Sequence, residues 1–478
     1  MTTLSAPPTE KRSIVEVGGI EAIPLDRRHG APWQLFATWS APNLEFATVF
    51  VGVLAVFAFG LPFWTAMAAL VVGNALGCIT HGILSSWGPR DGVAQMVLGR
   101  TAFGTRGNIL PAALNTVMAG LGWFAVNSVS GALALSTLTG LPAALSLLII
   151  VAIEVAVAFI GHDLVQQFER YATIVLGIVF LLATVFALSA GHLGASSGGK
   201  PGAVSFATIT LTMSAAFGYA AGWNPYASDY TRYLPAGASR RTTGWAAALG
   251  NFVSCTVLMA AGAAAATVVD FSKGSPTDLF TSTAIMPGWI GKLTLLAIAV
   301  GAIAANALNI YSGAMSFLAA GVRIRFALRR AIVALGFGVL GFVIALSALP
   351  NAGEAYENFL LVIAYWIAPW LGVVLTDRAL RRGTRIAPFL ADDARYTNWA
   401  GFIAFLVALV VSVTLFSNQV QYTGPLAGPV GDITPYVGFT LAALLTWGLS
   451  RALRPRLGGA LPKGGIEVPV HTDAASTA

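Results

Sequence analysis

Runs of about 20 predominantly apolar residues recur from Trp33 almost to the end of the chain, and this recurrence limits the fold more than any other feature of the sequence. A hydrocarbon layer about 30 Å thick is crossed by roughly 20 residues of helix. Inside it every backbone N–H and C=O needs an internal partner, so only helices and closed barrels can span it. A barrel would show weak alternating segments of about ten residues, and these are not seen. With 56% hydrophobic and 10% charged residues among 478, a soluble core of this size would lack the charge to cover it. The chain reads as an all-α polytopic membrane protein.

Apolar runs and their breakers give about 12 spans: 34–60, 63–84, 110–139, 141–160, 171–190, 204–234 (interrupted), 244–269, 289–322, 330–349, 355–376, 398–416 and 432–450. With the N-terminus inside, 24 of the 27 Lys and Arg residues fall in the tails and inner loops, and only Lys200, Lys273 and Lys292 fall outside. This asymmetry places both termini in the cytoplasm of a cell whose plasma membrane the protein spans. The same distribution explains the net charge of +7 without nucleic acid, because the basic residues lie between spans rather than in one patch. Cys78 and Cys255 both lie in apolar runs, so there is no disulfide framework and no zinc ligand set, and no metal or cofactor is expected. Residues 1–32 are polar and lack the apolar core of a cleavable signal. The chain after Arg456 has the composition of a disordered tail.

Two spans are broken. The stretch "SAAFGYAAGWNPYASDYTRYLP" (214–235) passes through Gly222, Trp223, Asn224 and Pro225, and "TWSAPNLEF" in the first span carries Ser40, Pro42 and Asn43. Proline removes an N–H and clashes with the carbonyl four residues back, so each break frees polar backbone groups at membrane depth. Such a break is expected only where it lines a wet or ligand-filled cavity. Two interrupted helices at equivalent places in two halves are the mark of an inverted-repeat transporter with its site between them. Ordinary proline kinks are the alternative.

The third span, "GLGWFAVNSVSGA", sets Trp123 and Asn127 four residues apart on one helical face, with Gly120 and Gly122 leaving room beside the indole. A flat aromatic surface with an amide one turn away suits a planar heterocycle; an interfacial Trp with an interhelical Asn is the plainer possibility. In the eighth span Asn306, Asn309 and Ser312 recur every three residues, a polar seam that either glues helices or faces the same cavity.

The segments "GWNPYASDYTRYLP", "SSWGPRDGVAQMVLGRTAFGTRGNILPAALN" (85–115), "GWFAVN" and "ALNIYSGA" together resemble the nucleobase:cation symporter-1 family, in its purine-cytosine permease branch. The resemblance implies a LeuT-like fold of two inverted five-helix repeats plus two helices, working by alternating access. The corresponding division is a tail at 1–32, repeats at 33–190 and 204–376, two further helices within 398–452, and a tail at 453–478. Carried onto this chain, it implies substrate contacts at Trp123, Asn127, Asn306 and Asn309, with Ser40 and Asn43 in the unwound first span. In the sixth span Ala220 stands where several relatives have an aromatic, which leaves Phe217, Tyr219 or Trp223, beside Gly222, to supply the stacking face.

Sodium-coupled members resemble one another in an eighth-helix Ser or Thr near first-helix carbonyls, because a hard cation takes oxygen ligands. Here that stretch is "AVGAIAANA", without a hydroxyl, which favours a proton as coupling ion over sodium. The carboxylate candidates for coupling are Glu45, Glu154 and Asp229. Arg232, three residues after Asp229, points to a cap or an inner-gate ion pair rather than proton carriage at Asp229, which leaves Glu45 as the freer candidate for coupling.

The expected function is secondary active import of a nucleobase, cytosine or a purine. The same scaffold carrying a vitamin, hydantoin or ureide, or coupled to sodium, is the alternative. An intramembrane enzyme would have only "ADDARY" (391–396) as its acidic motif, in an Arg-rich loop with no second acidic pair nearby, and a passive channel would need no coupling ion. The partners expected are a small heterocycle and the bilayer; the sequence sets no oligomeric state.

Overall fold

The computed structural model of the protein describes residues 19–160, 162–194, 198–271, 276–322, 326–382, 386–390, 396–419 and 421–453. Most of "ADDARY" and both chain ends lie outside these residues. The main helices are α1 (Leu35–Ser40), α2 (Phe46–Val53), α3 (Phe63–Ser85), α4 (Trp123–Thr139), α5 (Ala143–Ile160), α6 (His162–Ala190), α7 (Phe206–Ala221), α8 (Ala227–Thr231), α9 (Arg240–Ala265), α10 (Gly288–Ala319), α11 (Phe326–Ala348), α12 (Ala352–Leu380), α13 (Trp399–Phe416) and α14 (Thr434–Ala452).

All 12 expected apolar runs are helical. Among the described residues seven helices are long and apolar enough to cross a membrane, one of which, Ala334–Leu380, holds two of the runs; the bent pair Pro32–Asn43 and Phe46–Ala58, counted as one span, brings the number to eight. The runs at 141–160, 204–234 and 432–450 are helical but shorter, interrupted or more polar. Large apolar side chains such as Ile178, Leu181, Val339, Val343 and Leu444 stand exposed on the outer helix faces, the surface a bilayer covers.

Both breaks form where Pro and Asn interrupt the pattern. The first is a tight turn at Ala41–Asn43, and the axis bends by 68° before α2. The second ends α7 at Ala221 and passes through a tight turn at Asn224–Tyr226 into α8. Ahead of α4, residues Asn115–Gly122 take the wider π-helical turn, a local irregularity that often marks functional positions.

The half-helix α2 is held by α9 through backbone contact. A Cβ on Gly52 would lie 1.8 Å from the Met259 carbonyl oxygen, and one on Gly262 would lie 1.8 Å from that of Val49. Small residues at such crossings let helices approach where lipid offers no hydrophobic drive between them. Gly52→Val should therefore separate α2 from α9. Overpacking costs about 1–3 kcal/mol or more; the expected outcome is a clear fall in the unfolding temperature of the detergent-solubilised protein, or its loss from the membrane fraction.

Candidate functional site

Breaking a membrane helix leaves polar groups that side chains must satisfy, and here the two breaks satisfy each other. Asn43 Nδ2 lies 2.9–3.0 Å from Trp39 O, Asn251 Oδ1 and Ser254 Oγ, while Asn43 Oδ1 accepts from Trp223 Nε1 at 2.9 Å. Asn251, on α9, also donates through Nδ2 to Ala220 O at 3.1 Å, at the end of α7. Thr48 Oγ1 donates to Asn43 O at 2.6 Å and is hydrogen-bonded to the Tyr219 hydroxyl. Unsatisfied, such groups would cost several kcal/mol each in lipid.

This knot fixes the indole of Trp223, and across from it stands Trp123. The two rings are nearly parallel, at 9°, with centroids 6.2 Å apart. Tyr219 at 5.3 Å, Phe359 at 4.9 Å and Tyr356 at 6.4 Å meet Trp123 edge-on and close the sides. A Cβ on Gly222 would come within 2.8 Å of Trp123 Nε1, so glycine is what lets the indole lie against the second break. The ring planes can be no farther apart than their centroids. A planar ligand needs about 7 Å, two contacts of about 3.5 Å, so a modest separation of the two indoles would admit one.

The amides form a second group, one turn along α4. Asn306 Oδ1 accepts from Asn127 Nδ2 and from Asn309 Nδ2, both at 3.1 Å. Asn306 Nδ2 donates to Phe124 O at 2.9 Å and Ser128 Oγ at 3.1 Å. Asn127 Oδ1, Asn309 Oδ1 and Trp123 Nε1 are buried and have no protein partner. Buried polar groups are normally paired, so two acceptors and one donor left over here point to a polar ligand or water.

The two ends of the bundle differ. At the end carrying residues 19–34, called here the near end, Arg232 Nη1 donates to Gly19 O at 3.1 Å and Nη2 to Tyr311 Oη at 2.9 Å. Ile23 N reaches Gly92 O at 2.9 Å, His29 N reaches Tyr233 O at 2.6 Å, and Arg378 pairs with Asp91 at 2.6 Å. On the opposite side of Trp123 is a cavity of about 210 Å³ lined by Phe46, Phe50, Gly122, Tyr356 and Phe359 among others. The near end is thus laced by these contacts, while Tyr356 and Phe359, whose rings meet Trp123, also line the cavity.

Residues 22–448 match the family described as permease for cytosine/purines, uracil, thiamine, allantoin. The chain belongs to this family. It is 30% identical over 458 residues to the putative purine-cytosine permease YxlA of Bacillus subtilis, covering 93% of this chain and 97% of that protein. It is 31% identical over 454 residues to the purine-cytosine permease fcyB of Emericella nidulans, covering 90% and 87%. The permease also shares the fold of Mhp1, a nucleobase-cation-symport-1 family transporter solved in a closed conformation with bromovinylhydantoin bound, at a TM-score of 0.73 and 19% identity over 92% of this chain and 96% of that one. It is therefore a multi-pass membrane transporter and not an enzyme, with the LeuT-like fold that the sequence motifs imply.

Several residues sit otherwise than the sequence suggested. Ser40 Oγ lies 2.7 Å from Phe36 O and 3.1 Å from Gly250 O, so it fastens α1 rather than facing the indoles. Both ends of the Asn43 amide are committed to the knot, which makes it a fastener too. Phe217 packs against Tyr436 of α14, with centroids 6.4 Å apart, and is not among the rings around Trp123. Asp229 and Arg232 form no direct ion pair: Asp229 Oδ1 accepts from Gln95 N at 2.8 Å, while the guanidinium is drawn to Gly19 and Tyr311. Glu45 is buried, with Oε1 3.3 Å from Tyr219 Oη and Oε2 without a partner.

Asn251 is the residue the sequence did not single out. Its only local signal is an amide beside Gly250, three residues before Ser254, in an otherwise apolar run. Asn251→Leu takes the side-chain donor from Ala220 O and one of three acceptors from Asn43 Nδ2, which keeps Trp39 O and Ser254 Oγ; a buried group left without its partner costs about 1–3 kcal/mol. Thermal unfolding in detergent should show a marked drop for this variant, whereas Asn74→Leu, on α3 outside the knot, should lower the midpoint less.

Proposed function

We propose that this permease imports nucleobases, cytosine or a purine, by proton-coupled symport across the plasma membrane, with both termini cytoplasmic. The observation that carries this reading is the parallel pair Trp123 and Trp223 beside the unpartnered oxygens of Asn127 and Asn309. A nucleobase stacks between the indoles. Its amino and ring N–H groups donate to the two amide oxygens. Stacking on an aromatic contributes about 1–3 kcal/mol per base, and amides discriminate among base edges.

With the termini inside, the near end is cytoplasmic and the 210 Å³ cavity faces outward. Substrate enters past Phe359 and Tyr356, parts the two indoles, and is released inward when the contacts of Arg232 with Gly19 and Tyr311 open. Asp229 and Arg232 act there as gate residues through their separate partners. A proton rather than sodium as coupling ion is supported by the contact between the eighth span and the first break. A Cβ at Gly301 would lie 2.2 Å from Leu44 O, so the helices touch where sodium ligands would have to stand, and "AVGAIAANA" offers no hydroxyl. Glu45, beside the break and without a cation, is the carboxylate placed to exchange that proton with the outer side.

A hydantoin or related ring is the second reading, favoured by the likeness to a fold solved with bromovinylhydantoin. Competition of labelled cytosine uptake by unlabelled cytosine, adenine, uracil, allantoin and benzylhydantoin separates the two: cytosine and adenine should compete strongly and the hydantoin weakly. Trp123→Ala should lower uptake at least about tenfold while the protein still reaches the membrane, consistent with removal of about 1.4 kcal/mol or more of stacking. Unchanged uptake would remove the indole slot from the account.

A further inference from the structure

Glu154, on α5, takes no part in the indole slot, yet it is wired to the amides beside it. Its side chain is 0% exposed, with Oε2 2.6 Å from Ser128 Oγ and Oε1 without a partner. Among the described residues no cation is paired with it. α4 carries no titratable side chain, and Glu154 is the only one on α5. On α10 the titratable groups are Lys292, in its second turn and 14 residues before Asn306, and Tyr311, which serves Arg232. On α11, Val155 touches Gly338, about 12 Å along the helix from Arg330, at 1.5 Å per residue. His162 and Asp163, at the start of α6, follow Glu154 by eight and nine residues, beyond the end of α5. An ionisable side chain held inside a membrane bundle without an ion pair to explain it is by default a functional group.

The wiring has a direction. The Ser128 hydroxyl has one proton and three neighbours: Glu154 Oε2 at 2.6 Å, Phe124 O at 2.8 Å and Asn306 Nδ2 at 3.1 Å. When Glu154 is a carboxylate, the hydroxyl proton points to it. When Glu154 is the neutral acid, it donates to Ser128 Oγ instead, and the hydroxyl proton turns to Phe124 O. That oxygen is also used by Asn306 Nδ2, at 2.9 Å. The state of Glu154 is therefore passed to Asn306, whose Oδ1 holds both Asn127 and Asn309.

We propose that Glu154 carries a proton taken up together with substrate, and that Ser128 and Asn306 relay its presence to the amides that read the nucleobase. Glu154 is thus a positioning residue that links protonation to affinity. The proposal rests on the transport reading above and adds to it a proton site separate from Glu45. Linkage is reciprocal: if substrate favours the protonated site, acid favours substrate, typically by about 5- to 150-fold.

Equilibrium binding of radiolabelled cytosine to the purified full-length protein, from pH 8 to pH 5, reads this directly. Wild type should tighten at least about fivefold as pH falls. Glu154→Gln, which imitates the neutral acid, should bind with near wild-type acid-side affinity and change less than about twofold across the range. Glu154→Asp should keep the dependence. Ser128→Ala leaves the acid in place but cuts the relay, and should also be flat; it carries the test if Glu154→Gln does not accumulate. A wild-type pH profile in either Glu154→Gln or Ser128→Ala overturns the proposal, as does loss of binding at every pH by monodisperse Glu154→Gln. A wild-type protein that binds with pH-independent affinity overturns this proposal alone. One that binds no nucleobase at any pH overturns the transport reading on which it rests.

Discussion

Everything in this permease depends on how two interrupted helices are made tolerable at membrane depth. The solution is a small hydrogen-bonded knot: Asn43 accepts from the Trp223 indole, and Asn251 bonds both Asn43 and the end of α7 at Ala220. In lipid the freed groups have no other source of partners, so the breaks must sit together and inside the protein. The same bonds that pair the breaks also orient the Trp223 ring. A stability requirement and the proposed recognition surface thus share one set of residues.

From that fixed ring the rest of the site follows in order. Trp123 can lie parallel to Trp223 because Gly222 has no side chain, and the edges of Tyr219, Tyr356 and Phe359 prevent it from tilting. One turn further on, three asparagines share hydrogen bonds so that two oxygens remain over. The closed near end, tied through Arg232 and the segment from Gly19 to His29, leaves the opposite side as the route of access. On the transport reading proposed above, alternating access is the exchange of one seal for the other, with the knot as the part that need not change.

Much of this was legible in the sequence because it is local. Apolar runs showed the helices, Pro42 and Pro225 showed where two of them break, and a spacing of four put Trp123 and Asn127 on one face. What failed to show is what depends on distant partners. Asn251 is a single amide in an apolar run, and nothing nearby says that it bonds residues 31 and 208 positions away. The spacing of Asp229 and Arg232 suggested a pair, but Gln95 and Gly19, far off in sequence, draw the two apart. Phe217, Tyr219 and Trp223 were equivalent as aromatics near a break; only packing against Tyr436 sends Phe217 outward and only the bond to Asn43 turns Trp223 face-on.

The most direct measurement is uptake of labelled cytosine into proteoliposomes containing the purified permease, with an imposed pH gradient, acid outside, and no sodium present. The account predicts accumulation above the external concentration that collapses when a protonophore dissipates the gradient, and no further rise when sodium is added. Accumulation only with a sodium gradient, or mere equilibration whatever gradient is imposed, would contradict it.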